Sequence, residues 1–233
     1  MEEMNVDPKN PTDPERDRFV LSKGHSCPGL YGVMAEKGYF DREELKTFRH
    51  VGARLQGHPS MRMLPGIDMS TGSLGQGISS ACGMAMSAKI RNKDFRVYTL
   101  LGDGEIEEGQ VWEAAMFAGA KHLDNLCVIV DNNNLQIDGE IGKVNSPYPI
   151  DKKFEAFNFH VVNVEDGHDF EELAAAFAEA RSVKGMPTAI ICKTLKGKGV
   201  SYMEGDYLWH AQVPTPEDLE KAGLELSEPE VQK

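Results

Sequence analysis

Apolar positions are arranged differently in the two halves of the chain. Residues 1–18 are polar and proline-rich, with Asp7-Pro8, Asn10-Pro11 and Asp13-Pro14 each marking a turn or extended chain. Residues 31–38 and 41–49 read as two short helices, the second capped by Asp41 with acidic residues in its first turn. A longer helix is predicted over 73–91, where Ala, Met and Gly leave apolar groups on nearly every side, as in a buried helix. The second half alternates. Strands are predicted over 96–101, 126–130, 160–164 and 188–192, with helices over 108–121 and 170–183 and a short one ending at Phe154. Short apolar strands alternating with helices require right-handed crossovers, so the expected fold class is α/β, a parallel sheet with helices on both faces. No internal repeat appears, and residues 1–233 read as a single domain. Within it, 1–18 form an extended polar lead-in, and 225–233, including Glu228 and Glu230, a flexible solvated tail.

Composition narrows the possible ligands. Of 233 residues, 40% are hydrophobic and 27% charged, which describes an ordinary globular chain with one substantial core. The net charge of −12 argues against nucleic acid and anionic membrane surfaces as partners. A phosphorylated ligand would need a local device, such as helix amino termini or a divalent metal. Cys27, Cys82, Cys127 and Cys192 are scattered, with no CxxC pair, so zinc and dithiol chemistry are not supported and disulfides are not expected. No apolar run approaches the roughly 18 residues needed to span a bilayer. No signal peptide is apparent, and a cytoplasmic location is expected.

Ligands of open α/β sheets bind beyond the carboxyl ends of the strands. Two predicted strands end there in polar loops, Gly102-Asp103-Gly104 and Asp131-Asn132-Asn133-Asn134, about thirty residues apart. One helical crossover spans that distance and sets the two loops side by side. Asp103 and Asn133 can then offer a carboxylate and an amide oxygen to one point, a set suited to a hard cation with positions left for phosphate oxygens. Taken singly, the other motifs have plainer readings. His25 and His58 are loop histidines following glycine, and Gly72–Gly77 would be helix-packing glycines. Glu105, Glu107 and Glu108 would be a solvated helix start, and Lys196 and Lys198 a basic loop.

In combination these strings resemble the transketolase family. GDG, then about twenty-seven residues and Asn-Asn, looks like the thiamine diphosphate signature. The string LGDGEIEEGQVWEAAMFAGAKHLDNLCVIVDNNNLQIDG (101–139) is similar to transketolases in particular. SKGH (22–25), LQGHP (55–59), STGSLGQG (70–77), KGKGVSYME (196–204) and WHA (209–211) extend the likeness over nearly the whole chain. The resemblance implies the diphosphate-binding (PP-type) domain of the thiamine-diphosphate-binding fold. Asp103, Asn133 and the Leu135 carbonyl would hold Mg²⁺, with Ca²⁺ as a substitute, and Gly104 would let its backbone meet the diphosphate. His25 and His210 would hydrogen-bond the diphosphate, Gly72 and Leu74 would approach the cofactor rings, and Ile137 would pack on the thiazolium. His58 would face the substrate, and Glu108 the partner subunit.

The same resemblance places an SGHPG-type loop and a pyrimidine-binding domain outside this sequence. The expected protein is therefore the N-terminal subunit of a two-chain transketolase, inactive until joined to a C-terminal pyrimidine-domain subunit. It would then move a two-carbon ketol unit between sugar phosphates, as a dimer or heterotetramer. The alternatives are a non-catalytic or truncated cofactor-binding module, a 1-deoxyxylulose-5-phosphate synthase-like enzyme and a keto-acid dehydrogenase component.

Overall fold

The computed structural model describes residues 3–227, and residues 228–233, where Glu228 and Glu230 fall, lie outside it. Five strands form one parallel sheet: β1 (Arg18–Leu21), β2 (Val97–Gly102), β3 (Leu126–Asn132), β4 (His160–Val164) and β5 (Thr188–Lys193), in the order β1-β2-β3-β5-β4. The principal helices are α1 (Cys27–Lys37), α2 (Gln76–Ile90), α3 (Gly109–Ala120), α4 (Ile150–Ala156), α5 (Phe170–Ser182) and α6 (Pro216–Ser227). The chain is thus the α/β fold that the alternation of strands and helices demands.

Strand side chains alternate between the two faces of the sheet. Val97 and Leu101 of β2, Val128 and Val130 of β3, and Ala189 and Ile191 of β5 bury against α2 and α3, through Ile78, Ala81, Ala85, Val111, Ala115 and Ala118. Tyr98, Cys127, Ile190 and Cys192 face the other way and pack on Ala176 and Ala180 of α5. At the β1 edge, Leu21 joins Cys27, Tyr31, Met34 and Ala35 of α1. All four cysteines are buried free thiols, and no helix among the described residues is long and apolar enough to cross a membrane.

Three features depart from the sequence reading. β1 was hidden because it has only four residues and adjoins a charged, proline-rich stretch. That lead-in is pinned. Asp17 accepts from the N–H groups of Asn5 (2.8 Å) and Arg96 (2.7 Å), and Arg16 forms a two-pronged ion pair with Asp68 (2.6 and 2.9 Å). Helix α2 is buried along Gly77, Ile78, Ala81, Cys82, Ala85 and Ala88, while Gly83 and Ile90 face outward, so its all-round apolar character does not bury every side within this chain. Finally, α6 runs through Ser227, so residues 225–227 of the expected tail are helical.

Close packing places one glycine under a hard constraint. A Cβ on Gly119, in the last turn of α3, would lie 1.9 Å from the backbone oxygen of Phe157, just after α4. Gly119→Ala is expected to lower stability by about 1–3 kcal/mol through forced backbone movement. Gly109→Ala, at the open start of the same helix where a Cβ meets nothing within 4 Å, should be neutral or slightly stabilising. Urea unfolding midpoints of the two variants check this contrast.

Candidate active site

The register of β2 and β3 builds the first wall of the site. Gly102 pairs with Asp131, so the residues that follow leave the sheet side by side. The Asp103 N–H donates to the Asp131 carbonyl (3.2 Å). Asp103 is 2% exposed, and its carboxylate accepts from the N–H groups of Gly104 (2.8 Å) and Asn134. Asn134 has φ 64°, a left-handed conformation that asparagine tolerates better than most residues. It thereby turns the chain around Asp103, while the Asn133 amide oxygen accepts from the Leu135 N–H (3.1 Å). Asp103, Asn133 and Leu135 all line one cavity of about 590 Å³.

Burial raises the Asp103 carboxyl from an ordinary 3.8 to about 6, and neighbouring Asp131 adds to the rise; the two N–H donors and Lys23 hold it down only in part. A buried carboxylate short of positive charge fits a cation. Among the described residues no group of three or more His, Cys, Asp or Glu is placed to hold a metal. One carboxylate, one amide and one carbonyl are nevertheless a reasonable partial shell for a hard divalent ion that takes its other ligands from phosphate and water.

The same cavity is also lined by basic groups. Lys23 pairs with Asp131, which also accepts from the Thr194 hydroxyl. Burial alone would raise the Asp131 carboxyl, but Lys23 and the hydrogen bonds from Lys23, Thr194 and Asn133 outweigh it and leave the pKa below the ordinary value. The His25 and His210 rings stand 5.2 Å apart, and Lys196 Nζ is 3.4 Å from His210 Nδ1. Desolvation at the cavity wall, followed by His210, Lys23, Lys196 and His58, lowers the His25 pKa to about 4. His210 is lowered by burial, Lys196 and Lys23, so both rings are neutral near pH 7 and each can donate one N–H. Leu74, Gly104 and Ile137 complete the part of the lining read from sequence.

Gly72, His58 and Glu108 are not part of that lining. The His58 ring lies over Gly72, where a Cβ would come within 3.0 Å of it, at the rim beside His25. Glu108 is exposed at the start of α3, packed against Gly75. Sequence reasoning missed Lys23, which sits inside SKGH, and the Gly167-His168 turn at the end of β4. His168 lines the cavity and accepts from the Leu195 N–H (2.8 Å).

It also misjudged Glu105. This residue is 3% exposed, not solvated, and accepts from Ser22 Oγ (2.5 Å), Gly75 N (2.9 Å) and Gly102 N (3.0 Å). One carboxylate thus ties together the loops that carry His25, Leu74 and Asp103. It also takes up an N–H at the opening of α2.

The chain matches the family described as transketolase, thiamine diphosphate binding domain, over residues 1–223. It belongs to the transketolase family. This transketolase chain is 47% identical, over 96% of its length, to the 6-deoxy-6-sulfo-D-fructose transketolase subunit SqwG of Clostridium sp. (strain MSTE9), and covers 81% of that protein. It is 43% identical over 97% of its length to an apulose-4-phosphate transketolase subunit of Phocaeicola vulgatus, and covers 79% of it. The crystal structure of transketolase from Campylobacter jejuni superposes with a TM-score of 0.89 at 36% identity, over 95% of this chain but 36% of that one. The transketolase chain described here therefore spans about four-fifths of the subunit relatives and about a third of the full-length enzyme. It is a transketolase-type transferase chain, corresponding to the N-terminal subunit of two-chain members.

The raised Asp103 pKa has a measurable consequence without metal. The folded carboxyl holds its proton more tightly than the unfolded one, so the Asp103 contribution to the stability of the metal-free chain falls as pH rises from about 4 to about 6 and is level above that, while His25, whose folded pKa is lowered, contributes with the opposite sign. Asp103→Asn should remove this contribution, so that the variant's stability climbs relative to the parent across that range and exceeds it by about 1–2 kcal/mol near pH 7.5 in the metal-free state. Urea unfolding in EDTA across that pH range reads both effects. Parallel curves for parent and variant would contradict the assignment of the slope to Asp103.

Proposed function

We propose that this chain is the cofactor-diphosphate-binding subunit of a two-chain transketolase, moving a two-carbon ketol unit from a ketose to an aldose once joined to a pyrimidine-binding subunit. The observation that carries this reading is the convergence of Asp103, Asn133 and Leu135 on a cavity that Lys23, Lys196, His25 and His210 also line. In an acidic protein this is a built receptor for a polyanion together with a divalent cation.

On this reading Asp103, Asn133 and the Leu135 carbonyl hold Mg²⁺, or Ca²⁺ in its place. The Gly104 backbone, on the cavity lining, meets the diphosphate, its missing side chain leaving room for Gln136, and His25 and His210 donate to the diphosphate oxygens in their neutral form. Leu74 and Ile137 exclude water from the cofactor rings. His58, on the rim, donates to the sugar's hydroxyl or carbonyl oxygens, Gly72 lets its ring lie flat on the loop, and exposed Glu108 reaches the partner subunit. Thiamine diphosphate, when bound, supplies the carbon nucleophile that this chain lacks. The assembled enzyme is a dimer or heterotetramer with its sites between chains, and four buried free thiols accord with a cytoplasmic setting.

The two subunit relatives are named for different sugars, a sulfonated fructose and a phosphorylated apulose. Their shared feature is a ketose with an anionic end, and that is the proposed substrate class here. The test is reconstitution with the matching C-terminal subunit, Mg²⁺ and thiamine diphosphate. Ketol transfer from hydroxypyruvate, and none from pyruvate, is expected. His58→Ala should lower kcat/KM on the order of 10- to 100-fold with cofactor affinity unchanged. Turnover of pyruvate instead would move the assignment to the 1-deoxyxylulose-5-phosphate synthase type. Cofactor binding without any transfer would leave only a binding module.

A further inference from the structure

The loop that carries Asn133 has no regular structure of its own beyond a short hairpin, Leu135–Gln136 with Gly139–Glu140. Yet its amide oxygen and the Leu135 carbonyl must face the same point to serve one cation. Backbone contacts with Asp103 hold Asn134, but they leave the side chains on either side of Asn133 to be fixed by something else. Both are met by one distant group. The Tyr148 hydroxyl donates to Asn132 Oδ1 at 2.9 Å and lies 3.2 Å from Asn134 Oδ1. A phenol has one proton and two lone pairs, so it can donate to one amide and accept from the other when that amide presents its nitrogen.

Tyr148 is firmly mounted. It stands between Pro147, which is buried, and α4, whose Ile150 and Phe154 are in the core at 2% and 0% exposure. The residue is 42% exposed, so it contributes little to the core and its hydroxyl is the part with defined partners. Charged groups face it from both neighbouring elements: Asp103 at the end of β2 and Lys193 at the end of β5. The residue lies 14 positions beyond Asn134 and belongs to none of the motifs that mark the cavity.

We propose that Tyr148 is a positioning residue for the cation-binding loop. By holding Asn132 and Asn134 on one side, it directs Asn133 and the Leu135 carbonyl to the other, towards Asp103. This rests on the reading of Asp103, Asn133 and Leu135 as the cation site, and two measurements on the full chain keep the two ideas apart.

The first needs no ligand. Hydrogen–deuterium exchange of Tyr148→Phe should show faster exchange over residues 132–136 by roughly 3- to 10-fold, the loss expected for one or two neutral hydrogen bonds, with β2, residues 126–131 of β3 and α4 unchanged. Unaltered exchange in that segment would overturn the proposal. So would faster exchange spread equally over α4, because Tyr148 would then be serving the packing of the helix and not the loop.

The second measurement titrates Mg²⁺ against thiamine diphosphate binding by calorimetry. The half-saturating Mg²⁺ concentration of Tyr148→Phe should rise roughly 3- to 10-fold, while cofactor affinity at saturating Mg²⁺ changes less than about twofold. An unchanged Mg²⁺ requirement, or equal weakening at all Mg²⁺ concentrations, would overturn the proposal. If the parent chain binds the cofactor without regard to Mg²⁺, the cation-site reading itself fails. The exchange result would then report Tyr148 as a clasp on a loop of some other use, and the proposal as stated would be lost with that reading.

Discussion

Parallel strands that end level with one another are the constraint on which the site rests. Because Gly102 and Asp131 are register partners, the two loops that follow cannot separate, and Asp103 is delivered against the turn at Asn134 whatever else the chain does. The pairing is in turn held by apolar side chains on both faces of β2 and β3, buried under α2 and α3 on one side and α5 on the other. A slip of one residue would turn those side chains to the wrong faces. The placement of a polar site is thus a by-product of hydrophobic register.

The electrostatics follow from that placement. Bringing Asp103 and Asp131 together at the bottom of a cavity is unfavourable, and the protein resolves it unequally. Asp131 receives Lys23 and the Thr194 hydroxyl and stays ionised below its ordinary pKa, whereas Asp103 receives only backbone N–H groups and rises to about 6. Two adjacent carboxylates have therefore been sorted into one that is satisfied and one that is left wanting. On the proposed reading the unsatisfied one is the metal ligand.

Much of this was legible in the sequence because the information is local. Four of the five strands, the Asp41 cap and the two strand-end loops follow from periodicity, capping residues and glycines, and Asp103 and Asn133 from their position at strand ends. What escaped was fixed by tertiary contacts. β1 is too short to show a period, and nothing in Glu105-Ile106-Glu107-Glu108 reveals which acid turns inward; only the approach of Ser22 and Gly75 decides it. Lys23 carries no signal of its own within SKGH, and only its contact with Asp131 gives it a place in the site. Tyr148 reaches the Asn133 loop only after the chain has passed through the hairpin and turned back at α4, a path that no spacing rule announces.

The carboxylate of Glu105 at the opening of α2 has a consequence for how any ligand arrives. A helix amino terminus ordinarily attracts a phosphate unaided, but this one already has a carboxylate seated on the Gly75 N–H. A bare polyanion entering the cavity would meet the uncompensated Asp103 carboxylate and find the Gly75 N–H already taken. Uptake is then a question of order. On the proposed reading the cation comes first or in the same encounter, and an anion that recruits none is held less well.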